Sequence, residues 1–375
     1  MIRAFLLGTL TTLSLPWLLL IAWMRSLFPS IQRNVLIIQA AKIGDLVCMT
    51  PLFRALHEHG DRVTVLCLKR TADVLIDNPC VAAVIPIDDP EYRGWRGSLR
   101  LWYTLFFGQF SVSLVPFPGS SLSMVGLWSA SPLRIYTRGR MMSRMERWFR
   151  SCYTEHLHYQ RHTRTFTHYM ALARLIGAAP VLYRHEWYVS QEEEAFAAHW
   201  IKQQSFAPDQ KFAAIALRAG NALKEWPIER FVAVARHIIS HYSLSVLFID
   251  TNQTITAKAI ALLADPSHSA QAFDLSLRHL AAIIKHASLF VSVDTGPLYI
   301  AHALGVPVVD IIGPVDSIEQ PPIPDERVAL VLPPPPCAPS SFVADTLRTS
   351  TPEQQAALES TTVEMVTEAI DGILG

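Results

Sequence analysis

The stretch LFVSVDTGPLYIAHALGVPVVDIIG, from Leu289 to Gly313, decides the fold. It opens with a short apolar burst, Leu289 to Val293, whose pattern is that of a strand buried in a parallel sheet. The pattern breaks at Asp294-Thr295-Gly296-Pro297. Proline suits the first turn of a helix, where amides lack partners, and Asp or Thr just ahead of it can cap them. Tyr299, Ile300, Ala303 and Leu304 then recur at helical spacing, and Gly305-Val306-Pro307 ends the helix. A second apolar run, Val308 to Ile312, completes a β-α-β unit. A helix N-terminus just past the carboxyl end of a strand attracts anions through its free amides and its dipole. The same turn also occurs in α/β domains that bind nothing there.

Working outward, residues 186–340 read as one domain, with strands at 212–217, 244–249, 289–293 and 308–312 and helices at 227–241, 254–264 and 277–287 between them. An amphipathic helix follows within residues 350–375. Residues 34–185 repeat the plan, beginning with NVLIIQ (34–39), a loop AAKIGD (40–45) and a helix carrying Leu46, Val47, Leu52 and Leu56 on one side. Strands alternating with helices predict an α/β protein with two doubly wound, Rossmann-like domains facing across a cleft. Ligands on such sheets gather at the carboxyl ends of the strands, which puts Lys42, Gly44 and Asp45 at a candidate site.

Composition narrows the function. Half of the 375 residues are hydrophobic and 17% are charged, enough for large cores and too apolar for disorder. The formal net charge of zero argues against a general nucleic-acid binder. The five cysteines form no C-x-x-C pair, which points away from zinc and disulfide frameworks. From Ala4 to Met24 there is no charge, and those 21 residues could cross a ~30 Å hydrocarbon layer. Pro16, three threonines and Ser14 weaken the case for a straight span, and a helix that is kinked or lies in the interface is the competing reading. Residues 1–29 are therefore expected to associate with a membrane, with Arg25, Arg33 and Lys42 favouring a cytoplasmic body. No small-residue cleavage site follows. The segment 132–168 carries eight arginines against two glutamates, either a solvated face or a docking surface for an anionic partner.

Four blocks taken together resemble glycosyltransferase family 9, the heptosyltransferase family of lipopolysaccharide core assembly. They are VLIIQAAKIGDLVCMTPLFRAL (35–56), HTRTFTHYMALARLIGA (162–178), IALRAGNALKEWPIERFVAVA (215–235) and LFVSVDTGPLYIAHALGVPVVDIIGPVD (289–316). The resemblance implies a two-domain GT-B fold at the cytoplasmic face of a bacterial inner membrane. It also implies transfer of a sugar from a nucleotide-sugar to a lipid-linked glycan, inverting the anomeric centre and using no metal or other cofactor. Asp45 matches the family's catalytic base. An attacking hydroxyl must lose its proton, which a loop carboxylate can take, while Asp is equally at home capping the helix that follows. Lys224, in Lys224-Glu225-Trp226-Pro227, matches the lysine that meets the donor's diphosphate and offsets its growing charge. Asp294, Thr295 and Gly296 match the donor turn, and Leu275 lies where the family packs a nucleobase. On the acceptor side the expectations are Lys42, Gly44, Arg134, Arg138 and Arg140.

Three departures surround the donor. Tyr299 stands where the family commonly has His, Arg218-Ala219 where it has His-Pro, and Asp250-Thr251-Asn252 where it has a glycine-rich strand end. ADP-heptose is one candidate donor, and Arg218 is placed to add a phosphate contact. A rival reading is a membrane-anchored scaffold that binds nucleotide-sugars without catalysis. A dehydrogenase is disfavoured because the loop 40–45 lacks G-x-G-x-x-G.

Overall fold

The computed structural model describes residues 2–29, 32–139, 144–204, 206, 210–221, 224–334, 339, 342–343 and 352–375. The chain divides into two compact units, Met1–Arg184 and His185–Gly375. In the first, strands β1 (Asn34–Ile38), β2 (Arg62–Cys67), β3 (Ala83–Pro86), β4 (Val112–Val115), β5 (Leu133–Arg138) and β6 (Glu155–His158) form a parallel sheet in the order β3-β2-β1-β4-β5-β6. In the second, β7 (Phe212–Ala216), β8 (Ser245–Ile249), β9 (Ser269–Ala272), β10 (Leu289–Val293), β11 (Val308–Ile311) and β12 (Val328–Val331) form a parallel sheet in the order β12-β11-β10-β7-β8-β9. The order reverses between β1 and β4 in one sheet and between β7 and β10 in the other. At each reversal two loops diverge beyond the strands' carboxyl ends and leave a crevice.

The unbroken apolar runs follow from helices covering both faces of each sheet. Along β10, Leu289, Val291 and Val293 join one buried cluster with Trp226, Phe231 and Ile370, while Phe290 joins the opposite cluster with Leu298 and Ala301. Side chains alternate with period two, so both registers must be apolar. Each such residue stabilises the unit by about 1.5–3 kcal/mol relative to an exposed one.

Both chain ends are built into these units. The N-terminal helix Ile2–Ser26 buries Thr11, Leu15, Leu18 and Ala22. Leu15 and Leu18 share a cluster with Met124, Val125, Leu127 and Trp128. The Trp128 indole Nε1–H donates to Thr11 Oγ1 at 2.8 Å, and the Arg25 guanidinium donates to the carbonyls of Ser129 (2.8 Å) and Phe106 (2.9 Å). Among the described residues no helix is long and apolar enough to cross a membrane. The spanning-anchor expectation thus gives way to a helix docked on the first unit by buried leucines and specific hydrogen bonds. The single C-terminal helix expected from sequence is two, Pro352–Ser360 and Val363–Leu374, broken at Thr361-Thr362. The second of them packs Val366 and Ile370 into the same cluster as Trp226.

Candidate functional site

The reversal point of the second sheet gathers its charged side chains. Lys224 follows β7 and Asp294 follows β10, and the Lys224 ammonium donates to Asp294 Oδ2. The Tyr299 hydroxyl donates to the other oxygen, Oδ1. This explains the tyrosine at that position: it lies one turn into the helix Gly296–Ala303 and holds the carboxylate of the preceding loop. Thr295 is extended and forms the N-cap, with Pro297 in the first turn, so the free amides there belong to the first residues of the helix. Thr295, Gly296 and Pro297 are half-buried. An ammonium and a helix N-terminus converge here, an arrangement that suits an anion.

Behind the pair lies a carboxyl group that sequence reading passed over. Asp310, in β11, is fully buried, and neither of its oxygens has a hydrogen-bond partner among the described residues. Burial, and next the charge of Asp294, raise its pKa well above the usual carboxylate range, against a smaller opposing pull from Lys224. Asp310 therefore holds its proton to higher pH than an ordinary carboxyl does. The available signal was a lone acid inside the apolar run Val308-Val309-Asp310-Ile311-Ile312.

Lys224 is held from behind. The Trp226 indole donates to the Thr361 carbonyl at 3.0 Å, and Arg230 Nη1 donates to the same carbonyl at 2.7 Å. The break between the two C-terminal helices thus pins the loop that carries the lysine. Arg218, just past β7, makes a two-pronged pair with Asp250 past β8, both contacts at 2.7 Å. That hydrogen bonding raises the guanidinium's pKa. Asp250 in turn accepts from the Asn252 amide at 2.7 Å. Arg218 is a member of this loop-fixing pair, with about a third of its side chain exposed. Leu275 is half-buried and packs against the cluster containing Phe290.

In the first unit the reversal point lies between β1 and β4. Asp45 is the third residue of the helix Ile43–Cys48, and its Oδ2 accepts from the Lys42 amide at 2.9 Å. Lys42 is exposed, Asp45 half-buried and Gly44 buried. Across the crevice, the loop after β4 is fixed by His168, whose Nε2 lies 3.0 Å from the Pro116 carbonyl and 3.1 Å from Thr137 Oγ1. Burial lowers the His168 pKa to about 4, leaving a neutral ring whose Nε2–H serves the carbonyl. The Gly119 amide donates to the Tyr136 hydroxyl at 3.0 Å, and that hydroxyl donates to buried Glu146 at 2.5 Å.

The arginines separate. Arg138 ends β5 at the same carboxyl edge as Asp45, and its Nε is buried without a partner among the described residues. Burial, then Arg150, lower its pKa. Arg134, by contrast, sits at the amino edge of the strand. Its guanidinium is spent on the carbonyls of Ser131 (2.6 Å), Cys152 (2.8 Å) and Pro132 (3.2 Å), so it braces a turn and is corrected from acceptor contact to structural group. Arg140 lies outside the described residues. Among those residues no group of three His, Cys, Asp or Glu side chains has the arrangement to hold a metal ion.

Known proteins share this architecture. A lipopolysaccharide core heptosyltransferase, OpsX, of Haemophilus influenzae is 25% identical over 294 residues, 76% of this chain and 80% of that protein. A glycosyltransferase family 9 structure from Veillonella parvula matches with a TM-score of 0.72 at 16% identity, covering 91% of this chain and 97% of that one. Escherichia coli ADP-heptose heptosyltransferase II matches at 0.70 and 17% identity, covering 91% and 98%. Escherichia coli WaaC, solved with ADP-2-deoxy-2-fluoro heptose, matches at 0.65 and 15% identity, covering 90% and 99%. At such identities the structural likenesses speak to fold alone. A family model matches residues 122–348, more than half of the sequence, and the chain therefore belongs to glycosyltransferase family 9 (heptosyltransferase).

Proposed function

We propose that this glycosyltransferase moves a heptose or closely related sugar from a nucleotide-sugar, with ADP-heptose the leading donor, to a lipid-linked acceptor of the lipopolysaccharide core. The observation that carries the donor half is the Lys224–Asp294 pair at the N-terminus of the helix Gly296–Ala303, where the second sheet reverses. In this reading the Lys224 ammonium turns from Asp294 to the donor's diphosphate, and the helix amides share the charge that builds as the sugar departs. Asp294 and Tyr299 then offer oxygens to sugar or ribose hydroxyls. Fixed positive groups of this kind can do the work of a bound cation, which supports a metal-independent reaction. Asp45 takes the proton from the acceptor hydroxyl as it attacks from the face opposite the leaving group, so the anomeric centre inverts. Arg138, at the same edge as Asp45, meets an anionic group of the acceptor. The OpsX likeness supports this substrate class, and a core-lipid acceptor would suit a reaction at the cytoplasmic face of the inner membrane.

Purified protein, a panel of nucleotide-sugars, a core-lipid acceptor and mass spectrometry of the product test this reading. Product of one added heptose, with inverted configuration and undiminished by a chelator, is expected. Nucleotide-sugar binding without any product would instead favour the scaffold.

A further inference from the structure

We propose that the outer faces of three helices in the first unit form one surface that docks into an anionic phospholipid bilayer without crossing it. The helices are Ile2–Ser26, Gly94–Phe107 and Arg144–Arg150. The inference refines the membrane location proposed above, but vesicle binding is measured without substrate and so stands or falls apart from the reaction.

The inner face of the N-terminal helix is occupied by Trp128 and its neighbours, as described. Its outer face carries exposed Leu13, Trp17, Leu20 and Met24 at helical spacing, with Trp23, Leu27 and Phe28 beside them; Trp17 is 67% exposed and Phe28 83%. The helix Gly94–Phe107 does the same. Leu101 and Leu105 are buried, while Trp95, Leu99, Tyr103 and Phe107, each four residues apart, face outward. Met145 and Trp148 are the exposed apolar residues of the third helix.

Contacts join the three faces. The Arg25 guanidinium bonds the Phe106 carbonyl and lies 5.4 Å from the Phe106 ring centre, tying the ends of the first two helices together. A Cβ added at Gly8 would lie 3.8 Å from Met145 Sδ, so the third helix flanks the start of the first. Soluble proteins rarely leave so many adjacent large apolar groups in water.

Charge selects the occupant. Arg93, Arg96, Arg100, Arg144 and Arg147 are exposed among these side chains. Against them stands Glu91, paired with Arg100 at 3.1 Å, whereas Glu146 is buried. Arg96 lies over the Trp95 ring at 5.2 Å. Tryptophan and tyrosine interleaved with arginine is the composition that settles at lipid headgroups, with the apolar edge entering by about 5–10 Å. A second copy of this chain would bring arginine against arginine, with too few acids to answer them.

Co-sedimentation of the full chain with phosphatidylethanolamine–phosphatidylglycerol vesicles, and with phosphatidylcholine vesicles, tests the proposal. The wild type should bind the anionic vesicles, with a blue shift of tryptophan emission and weakening by salt. The triple variant Trp17→Ser, Trp23→Ser, Phe28→Ser should bind at least about tenfold more weakly. The double variant Arg96→Gln, Arg147→Gln should lose roughly fivefold per charge on anionic vesicles only. All of these side chains point outward, so thermal midpoints should match the wild type. Unchanged binding in both variants would overturn the proposal, as would no binding by the wild type. So would a wild-type dimer in vesicle-free buffer that the triple variant abolishes.

Discussion

Asp45 has two possible employments, and one pair of substitutions separates them. Its Oδ2 accepts the Lys42 amide at 2.9 Å, which stabilises the start of the helix Ile43–Cys48. Alanine removes that acceptor and the carboxylate together. Asparagine keeps an oxygen for the Lys42 amide but cannot take a proton from a sugar hydroxyl. Losing the cap should cost about 1 kcal/mol, a fall of about 2–4 °C in thermal midpoint for a unit of this size. Losing the base should slow transfer by about 10²–10⁴, or about 3–5 kcal/mol in the barrier. The assay pairs thermal unfolding with single-turnover transfer. Asp45→Asn should melt like the wild type yet turn over at least about a hundredfold more slowly. Asp45→Ala should show the same loss of rate and a lower midpoint. If Asp45→Asn transfers at nearly the wild-type rate, the carboxylate is a helix cap and the base lies elsewhere.

Three further outcomes follow from the same geometry. Asp310 holds its proton in the folded unit after the unfolded carboxyl has lost its own near pH 4, so stability falls as pH rises through that window, by about 1.4 kcal/mol for each pH unit. Asp310→Asn should remove this slope and gain on the wild type as pH rises above about 4 in denaturant titrations; parallel curves would refute the raised pKa of the buried acid. Trp226→Phe forfeits the 3.0 Å bond to the Thr361 carbonyl, so the midpoint should drop by roughly 1 kcal/mol's worth and donor KM should rise more than kcat falls. An unchanged KM would separate the C-terminal helices from Lys224. Deleting residues 1–29 uncovers the partners of Leu15 and Leu18 and should cost about 3–6 kcal/mol, leaving an unstable first unit. A truncated protein that melts at the wild-type temperature would contradict the docked helix.

Much of the architecture was legible because parallel strands buried on both faces announce themselves as apolar runs. β1, β7, β8, β10 and β11 all stand where such runs predict them. β5 was hidden by its ends: Arg134 and Arg138 flank the buried Ile135, Tyr136 and Thr137, and the segment read as a basic face. β9, Ser269 to Ala272, is short and lacks the branched residues that mark strands. The helix Gly94–Phe107 lost its period because it is apolar on its outer face as well as its inner one. In the site, Lys224 and Asp294 were each found, but their mutual pairing joins residues 70 positions apart and has no local signature. The same holds for Arg134, whose carbonyl partners are fixed by the fold of the turn around it.

The central claim is that Lys224 meets the donor's diphosphate. Calorimetric titration of ADP into the wild type, Lys224→Ala and Asp45→Asn tests it most directly. The account expects Lys224→Ala to bind ADP about ten- to a hundredfold more weakly, as loss of a charge-assisted contact requires, with Asp45→Asn unchanged. Equal affinity in the wild type and Lys224→Ala would contradict it.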